Sequence, residues 1–234
     1  MRDDIARWSG LAAYPGQVAR TTVPFTLDHL EALDALGVPC RACLFWEMDP
    51  VRRSRLHDPT TRAEVKESWM SEVLREWGSC GRVALVDGEP VGYLTYAPPS
   101  YVPGAAVFPT GPASPDAVLL TTAFVADGYD GGGIGRLLVQ GMARDLVGRE
   151  GIKAVEAFAY GGNRLAPESG CLLPAEFLAR VGFKTHRPHP RTPRMRMEMR
   201  SLVTWRDEVE AALEKLVGVV QPRKRPTPAH RDLN

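Results

Sequence analysis

The stretch that most constrains the fold runs from Ala117 to Tyr160. A nearly continuous apolar run, AVLLTTAFV at 117–125, leads through ADGYDGGG into an amphipathic segment starting at Ile134, and a second apolar run, IKAVEAFAY at 152–160, follows. Runs of this kind are strands covered on both faces. Strand, helix and strand in that order make a parallel crossover, which needs a sheet with helices packed against it. Gly131, Gly132 and Gly133 stand at the helix start, with Gly135 just inside it. Gly loses more freedom on folding than any other residue, so this much bare backbone requires a reason. A helix N-terminus offers N–H groups without intrahelical partners and the positive end of the macrodipole. A loop without side chains lets an anion reach them, and Arg136 adds a cation at the rim. Ile134, Leu137, Leu138, Met142 and Leu146 share one face of the predicted helix 134–149, and Gly141 on that face allows close approach to the sheet. A pyrophosphate is the expected ligand, the alternative being a flexible linker.

Two common phosphate motifs do not fit. A P-loop requires Lys and Ser/Thr after its last Gly, where this chain has Ile134, Gly135 and Arg136. The dinucleotide fingerprint needs a small residue three positions after its second Gly, and that position is Leu138.

Periodicity supplies the surrounding elements. Leu27, Leu30, Leu33 and Leu36 predict a short helix capped by Thr26 and stopped by Gly37. Residues 43–48 read as a strand. Asp58-Pro59-Thr60 opens a helix carrying Val65, Trp69, Val73 and Trp77 and closed by Gly78. Residues 82–86 and 90–96 form a hairpin about Asp87-Gly88-Glu89. The segment 98–116, with six prolines, is a long irregular loop whose Tyr101 and Phe108 suit either a lid over an acceptor site or surface padding. A short helix from Pro174 to Val181 ends at Gly182. Met195–Met199 alternates as a strand, and a helix runs from Thr204 to about Leu216. Trp46, Trp69 and Trp77 are read as core.

The span Val125–Gly135 resembles the coenzyme A pyrophosphate loop of the GNAT acyltransferase superfamily, Gln/Arg-x-x-Gly-x-Gly/Ala after the fourth strand. Gly133-Ile134-Gly135 fits its Gly-x-Gly, while Asp130 stands where the family has Arg or Gln. The likeness covers about residues 40–200 and includes Leu178–Phe183, which looks like the family's terminal helix ending in Gly-Phe. It implies an α+β fold: a central mixed, mostly antiparallel sheet, splayed between its fourth and fifth strands and flanked by helices. The acyl donor, acetyl-CoA, would lie in the splay, its pantetheine arm against the main chain of Phe124 and Val125 and its pyrophosphate on Gly131, Gly132, Gly133, Ile134, Gly135 and Arg136. The implied reaction is transfer of an acyl group, most directly acetyl, to an amine by direct attack in a ternary complex. The family's Tyr acid falls on Phe177 or Leu178, neither of which donates a proton. With Asp130, this motivates the alternative of a catalytically weak or inactive CoA-binding regulatory module.

Acyl transfer to an amine needs proton acceptors and donors. Glu156 shares a strand face with Ile152, Ala154, Phe158 and Tyr160, where desolvation would raise its pKa and make it a general base; the opposing reading pairs it with an Arg or solvent. Glu47 is a second carboxylate of this kind, and Asp127 shapes the loop. Cys171, before the Pro174 helix, and Tyr160, at its strand end, are the candidate proton donors, with Cys171 alternatively a small buried hydrophobe. Cys40 and Cys43 have metal or redox spacing but no second pair, and are read as buried or half-buried thiols. No metal is expected.

Composition sets the outer limits. With 44% hydrophobic and 24% charged residues and a net charge of +1, nothing in the global field argues for nucleic acid or membrane. Four cysteines are too few for a disulfide scaffold, and the N-terminus, MRDDIARWSG, carries acids and no long apolar stretch, so a secretory signal is not expected and a reducing cytoplasm is. The expected organisation is an N-terminal extension with a short helix (1–39), an acyltransferase domain (40–200), a C-terminal helix (201–219) and a disordered basic tail (220–234). Partners are an amine acceptor, a small molecule or a protein, and a homodimer is compatible with the chain.

Overall fold

In the computed structural model the described residues are 19–34, 37, 40–161 and 171–200. The predicted end of the first helix at Leu36, the helix 204–216, the basic tail and residues 1–18 lie outside them. The chain divides into Met1–Met199 and Arg200–Asn234, and the elements below belong to the first unit. In chain order they are β1 (Arg20–Pro24), α1 (His29–Asp34), α2 (Pro50–Arg53), α3 (Pro59–Trp77), β2 (Gly81–Val86), β3 (Glu89–Ala97), β4 (Ala117–Val125), α4 (Ile134–Leu146), β5 (Ala154–Tyr160), β6 (Leu173–Pro174), α5 (Ala175–Arg180), β7 (Lys184–Arg187) and β8 (Arg194–Glu198), with two 3-10 turns, Pro99–Tyr101 and Pro103–Val107, between β3 and β4.

Local chemistry accounts for the clearest boundaries. The Asp58 carboxylate accepts from the Thr61 N–H at the start of α3, and Gly78 closes that helix at φ 83°. Asp87 and Gly88, at φ 52° and 91°, form the two-residue hairpin turn between β2 and β3. Helix α4 stops at Leu146, short of the predicted 149, because Val147 is extended.

The strands form one mixed sheet in the order β1-β2-β3-β4-β5-β8-β7, with β6 against the end of β5. β4 and β5 run parallel, as do β5 and the two-residue β6, and the other pairs are antiparallel. β3 follows β4 along its length, from Ala97↔Leu119 to Gly92↔Val125. β5 does not: it pairs with β4 only at Ala117↔Ala154, Val118↔Val155 and Leu119↔Glu156. Beyond Leu119 the two strands diverge, as the splayed sheet requires.

The expected strand at 43–48 is corrected. These residues form turns, with Leu44, Trp46 and Glu47 buried. Their carbonyls are satisfied without a ladder: Lys66 Nζ donates to Cys43 O at 3.2 Å, Arg53 to Phe45 O at 2.8 Å and the Gly104 N–H to Trp46 O at 3.0 Å. An apolar run can therefore fill the core without becoming a strand. Glu47, within this segment, forms a buried ion pair with Lys66. The segment 98–116 is likewise folded into the molecule. Phe108 stacks on Phe158 with centroids 4.6 Å apart and on Trp46 at 5.5 Å, and Trp69 Nε1 donates to Tyr101 O at 2.7 Å. Phe108 is core, so neither a lid nor surface padding describes it. Trp46 and Trp69 are buried as expected; Trp77 is half-buried, with the Arg149 guanidinium 4.2 Å from its ring centre.

Candidate active site

The glycine loop meets the splay. Gly131 and Gly133 have φ 74° and 81°, left-handed values that L side chains rarely adopt. Gly133 is the N-cap of α4, and no side chain caps the helix, so its first turn presents main-chain donors, as anion recognition requires. Gly135 is constrained differently. A Cβ there would lie 2.8 Å from Cε2 and 3.3 Å from Cζ of Phe177 on α5, so only a residue without a side chain lets the ring sit against the helix start.

Side-chain contacts hold this helix in place. A Cβ at Gly141 would meet Thr22 Oγ1 at 3.0 Å and Arg82 Cγ at 3.3 Å, which confirms the close approach to the sheet. Asp145 of α4 accepts from Arg82 Nε at 2.6 Å and from the Tyr96 hydroxyl. Arg20, on β1, donates to Gly132 O. The loop is thus tied to β1 by Arg20 and stands on a helix hydrogen-bonded to β2 and β3.

A cavity of about 300 Å³ opens beside it. One wall is Ala123, Phe124 and Val125 of β4, another is the loop with Tyr129, Asp130, Gly131, Gly133, Ile134 and Gly135, and the third is Leu173, Pro174, Phe177 and Arg180. Most of the predicted donor-site residues are brought together here. Gly132 and Arg136 belong to the same loop and helix start without lining the cavity. Sequence reasoning missed Arg180 and Arg20. Arg180 follows Phe177 by three residues on α5, so both fall on one helix face, a spacing that would have revealed it. Arg180 is exposed and has no ion pair or hydrogen bond among the described residues. Arg20, on a short exposed edge strand, gave no signal.

None of the three catalytic candidates lines this cavity. Glu156 is fully buried where β4 and β5 part. Its carboxylate accepts from the Ser114 hydroxyl at 2.6 Å and the Ser114 N–H at 3.0 Å, and lies 3.3 Å from Arg194 and 3.2 Å from Arg196. The expected rise in its pKa is corrected. Burial does push the carboxyl up and is the largest single influence, but Ser114, Arg194 and Arg196 together hold it below the ordinary range. It is an ionised member of an ion-pair network, the Arg-paired alternative in the sequence. Cys171 is buried with its sulfur 3.2 Å from that of Cys43. Tyr160, half-buried, sits at the end of β5 opposite Pro174 of β6.

No group of His, Cys, Asp and Glu that could hold a metal occurs among the described residues. Nor is any helix among them long and apolar enough to cross a membrane.

Several solved structures are similar to the chain. An aminoglycoside acetyltransferase, AAC(6')-Ib, crystallised with coenzyme A and kanamycin, matches with a TM-score of 0.50 at 16% identity, over 80% of this chain and 99% of that one. The PaiA N-acetyltransferase of Thermoplasma acidophilum, in complex with coenzyme A, gives 0.46 at 14% identity over 77% and 99%. A GNAT-family acetyltransferase from Desulfovibrio desulfuricans gives 0.44 at 22% over 77% and 99%. No curated protein matches the chain. The sequence profile of the Acetyltransferase (GNAT) family matches residues 44–166, more than half of the chain. With its mixed sheet parted at β4 and β5, the chain belongs to the GNAT acetyltransferase family.

Proposed function

We propose that this protein transfers an acyl group, most directly acetyl, from acyl-CoA to an amine by direct attack in a ternary complex. The observation that carries the reading is the cavity where three features converge: the open edge of β4, the uncapped start of α4 and Arg180. The N–H groups after Gly133 would take the diphosphate, and the main chain at Phe124 and Val125 the pantetheine arm. Arg180 would supply the cation that Asp130 does not. Acyl-CoA contributes an activated acyl group, so the chain's own task is mainly to hold the donor and exclude misplacement. A primary amine titrates near pH 10, and its proton must leave before attack; with Glu156 held by two arginines, Tyr160, Cys171 or ordered water remain to carry protons. The acceptor belongs to the amine class; AAC(6')-Ib, which shares the fold, is an aminoglycoside enzyme, which makes amino sugars a natural starting panel.

A second reading, a CoA-binding module with little or no catalysis, is favoured by Asp130 on the cavity wall and by Phe177 where the family carries a tyrosine. Thiol release from acetyl-CoA, measured across amino sugars, polyamines, lysine peptides and protein N-termini, separates the two. Turnover with any amine supports the enzyme. Calorimetric binding of CoA without turnover supports the module, and no binding removes both.

A further inference from the structure

The loop at 40–47 carries a thiol, Cys43, that the proposed reaction does not use. Cys43 and Cys171, 128 residues apart in sequence, bring their sulfurs to 3.2 Å as free thiols. Both are held from outside. The Trp46 indole, three residues after Cys43, donates to Cys171 O at 3.1 Å, and on the other side Lys66 Nζ reaches Cys43 O at 3.2 Å and Arg62 Nε reaches Ala42 O at 2.7 Å. The sulfurs thus need to close by only about 1.2 Å to reach the bonded separation of ~2.05 Å. Cys43 is the more exposed of the two.

We propose that Cys43 and Cys171 form a reversible thiol–disulfide pair, oxidised by a hydroperoxide and reset by a dithiol. The Cys43 thiolate attacks the peroxide oxygen, breaking the O–O bond; with one proton taken up, the products are a sulfenic acid on Cys43 and an alcohol, or water from hydrogen peroxide. The Cys171 sulfur then attacks the Cys43 sulfur, forming the S–S bond and releasing water. Two thiols lose two electrons in total, and the peroxide gains them.

The electrostatics agree with that order. The hydrogen bond from the Cys171 thiol, the Phe45 backbone N–H and the Lys66 ammonium bring the Cys43 thiol down to about 6, against its burial and the Glu47 carboxylate. A thiolate is therefore available at neutral pH, and the thiolate is the nucleophile. Burial pushes Cys40 up, and pushes Cys80 up to about 12, so neither competes. The CxxC spacing in the sequence is in this sense misleading: the partner of Cys43 is Cys171, not Cys40.

The test uses the full chain. Wild-type protein is treated at pH 7 with one equivalent of hydrogen peroxide, alkylated in denaturant and mapped by mass spectrometry. Thiols should fall from four to two, with one linked peptide pair joining Cys43 to Cys171, and dithiothreitol should restore all four. In Cys171→Ser, dimedone should label Cys43, and Cys40→Ser should still form the link. Four surviving thiols, a bridge through Cys40 or Cys80, or irreversible oxidation of Cys43 without a bridge would overturn the proposal. The wild-type map decides even if a variant fails to fold.

Discussion

The contact between Gly135 and Phe177 offers a quantitative test of how the cavity is built. In Gly135→Ala the new methyl would lie 2.8 Å from Cε2 and 3.3 Å from Cζ of the ring. Carbon atoms prefer about 3.5–4.0 Å, so the ring must retreat by roughly 0.7–1.2 Å at its nearest atom. Overpacking of this kind costs about 1–3 kcal/mol. Replacing Gly by Ala inside a helix returns up to about 1 kcal/mol. The net loss is therefore about 0–2 kcal/mol, a melting shift of up to about 8 °C for a chain of this size. Phe177→Leu supplies the control, because it removes both Cε2 and Cζ while Cδ2, 4.0 Å away, is already in ordinary contact. In that background Gly135→Ala should be neutral or stabilising by up to about 1 kcal/mol. Urea unfolding of the four proteins then gives a coupling of about 1–3 kcal/mol. Additive effects, within about 0.5 kcal/mol, would refute the claim that the ring is why position 135 is glycine.

Other expectations follow from the same geometry. Gly133→Asn should keep most of the stability, since Asn tolerates the left-handed region, yet weaken CoA binding by placing a side chain on the cavity wall; calorimetric titration with unchanged affinity would move the diphosphate elsewhere. Arg180→Glu should weaken CoA binding and flatten its salt dependence, whereas Arg180→Lys should retain part of both. Lys66→Met leaves the Glu47 carboxylate buried without its partner and should cost about 3–5 kcal/mol in urea unfolding, with Lys66→Met/Glu47→Leu recovering most of it. Glu156→Gln should destabilise most near neutral pH. Its folded pKa is depressed, so the native contribution is complete above the unfolded value of about 4.3 and is lost as pH falls through the folded one; a gap that widens on acidification would contradict the ion-pair role.

Much of the fold around the candidate site was legible because glycine and caps act locally. Three glycines before an apolar-faced helix, Asp58 and Gly78 around α3, and Asp87-Gly88 in the hairpin each fix a backbone conformation through their own side chains or lack of them. The parting of β4 and β5 was not deducible from pattern and came from family likeness. What escaped was set by distant partners. β7, Lys184–Arg187, is wholly exposed and polar, so nothing in it marks a strand until β8 pairs with it. The run at 43–48 has strand composition, but Lys66, Arg53 and Gly104 take its carbonyls. Glu156 looked desolvated among apolar neighbours on its own strand; Ser114, Arg194 and Arg196 come from elsewhere in the chain. A residue's charge state is decided by whoever faces it, and sequence alternation describes only its own strand.

The divergence of β4 from β5 leaves the protein with a sheet edge in its interior rather than at its rim. Backbone groups of residues 120–125 that point away from β3 meet no strand among the described residues, and their place inside the sheet, with 122–125 half-buried, sets them apart from the outer edge that would recruit neighbouring chains. A guest with its own amides can stand in for the absent strand, and only such a guest completes the ladder. Hydrogen exchange should show it: those amides should be poorly protected in the free protein, and slowed selectively when a pantetheine-bearing molecule, but not a bare nucleotide, is added.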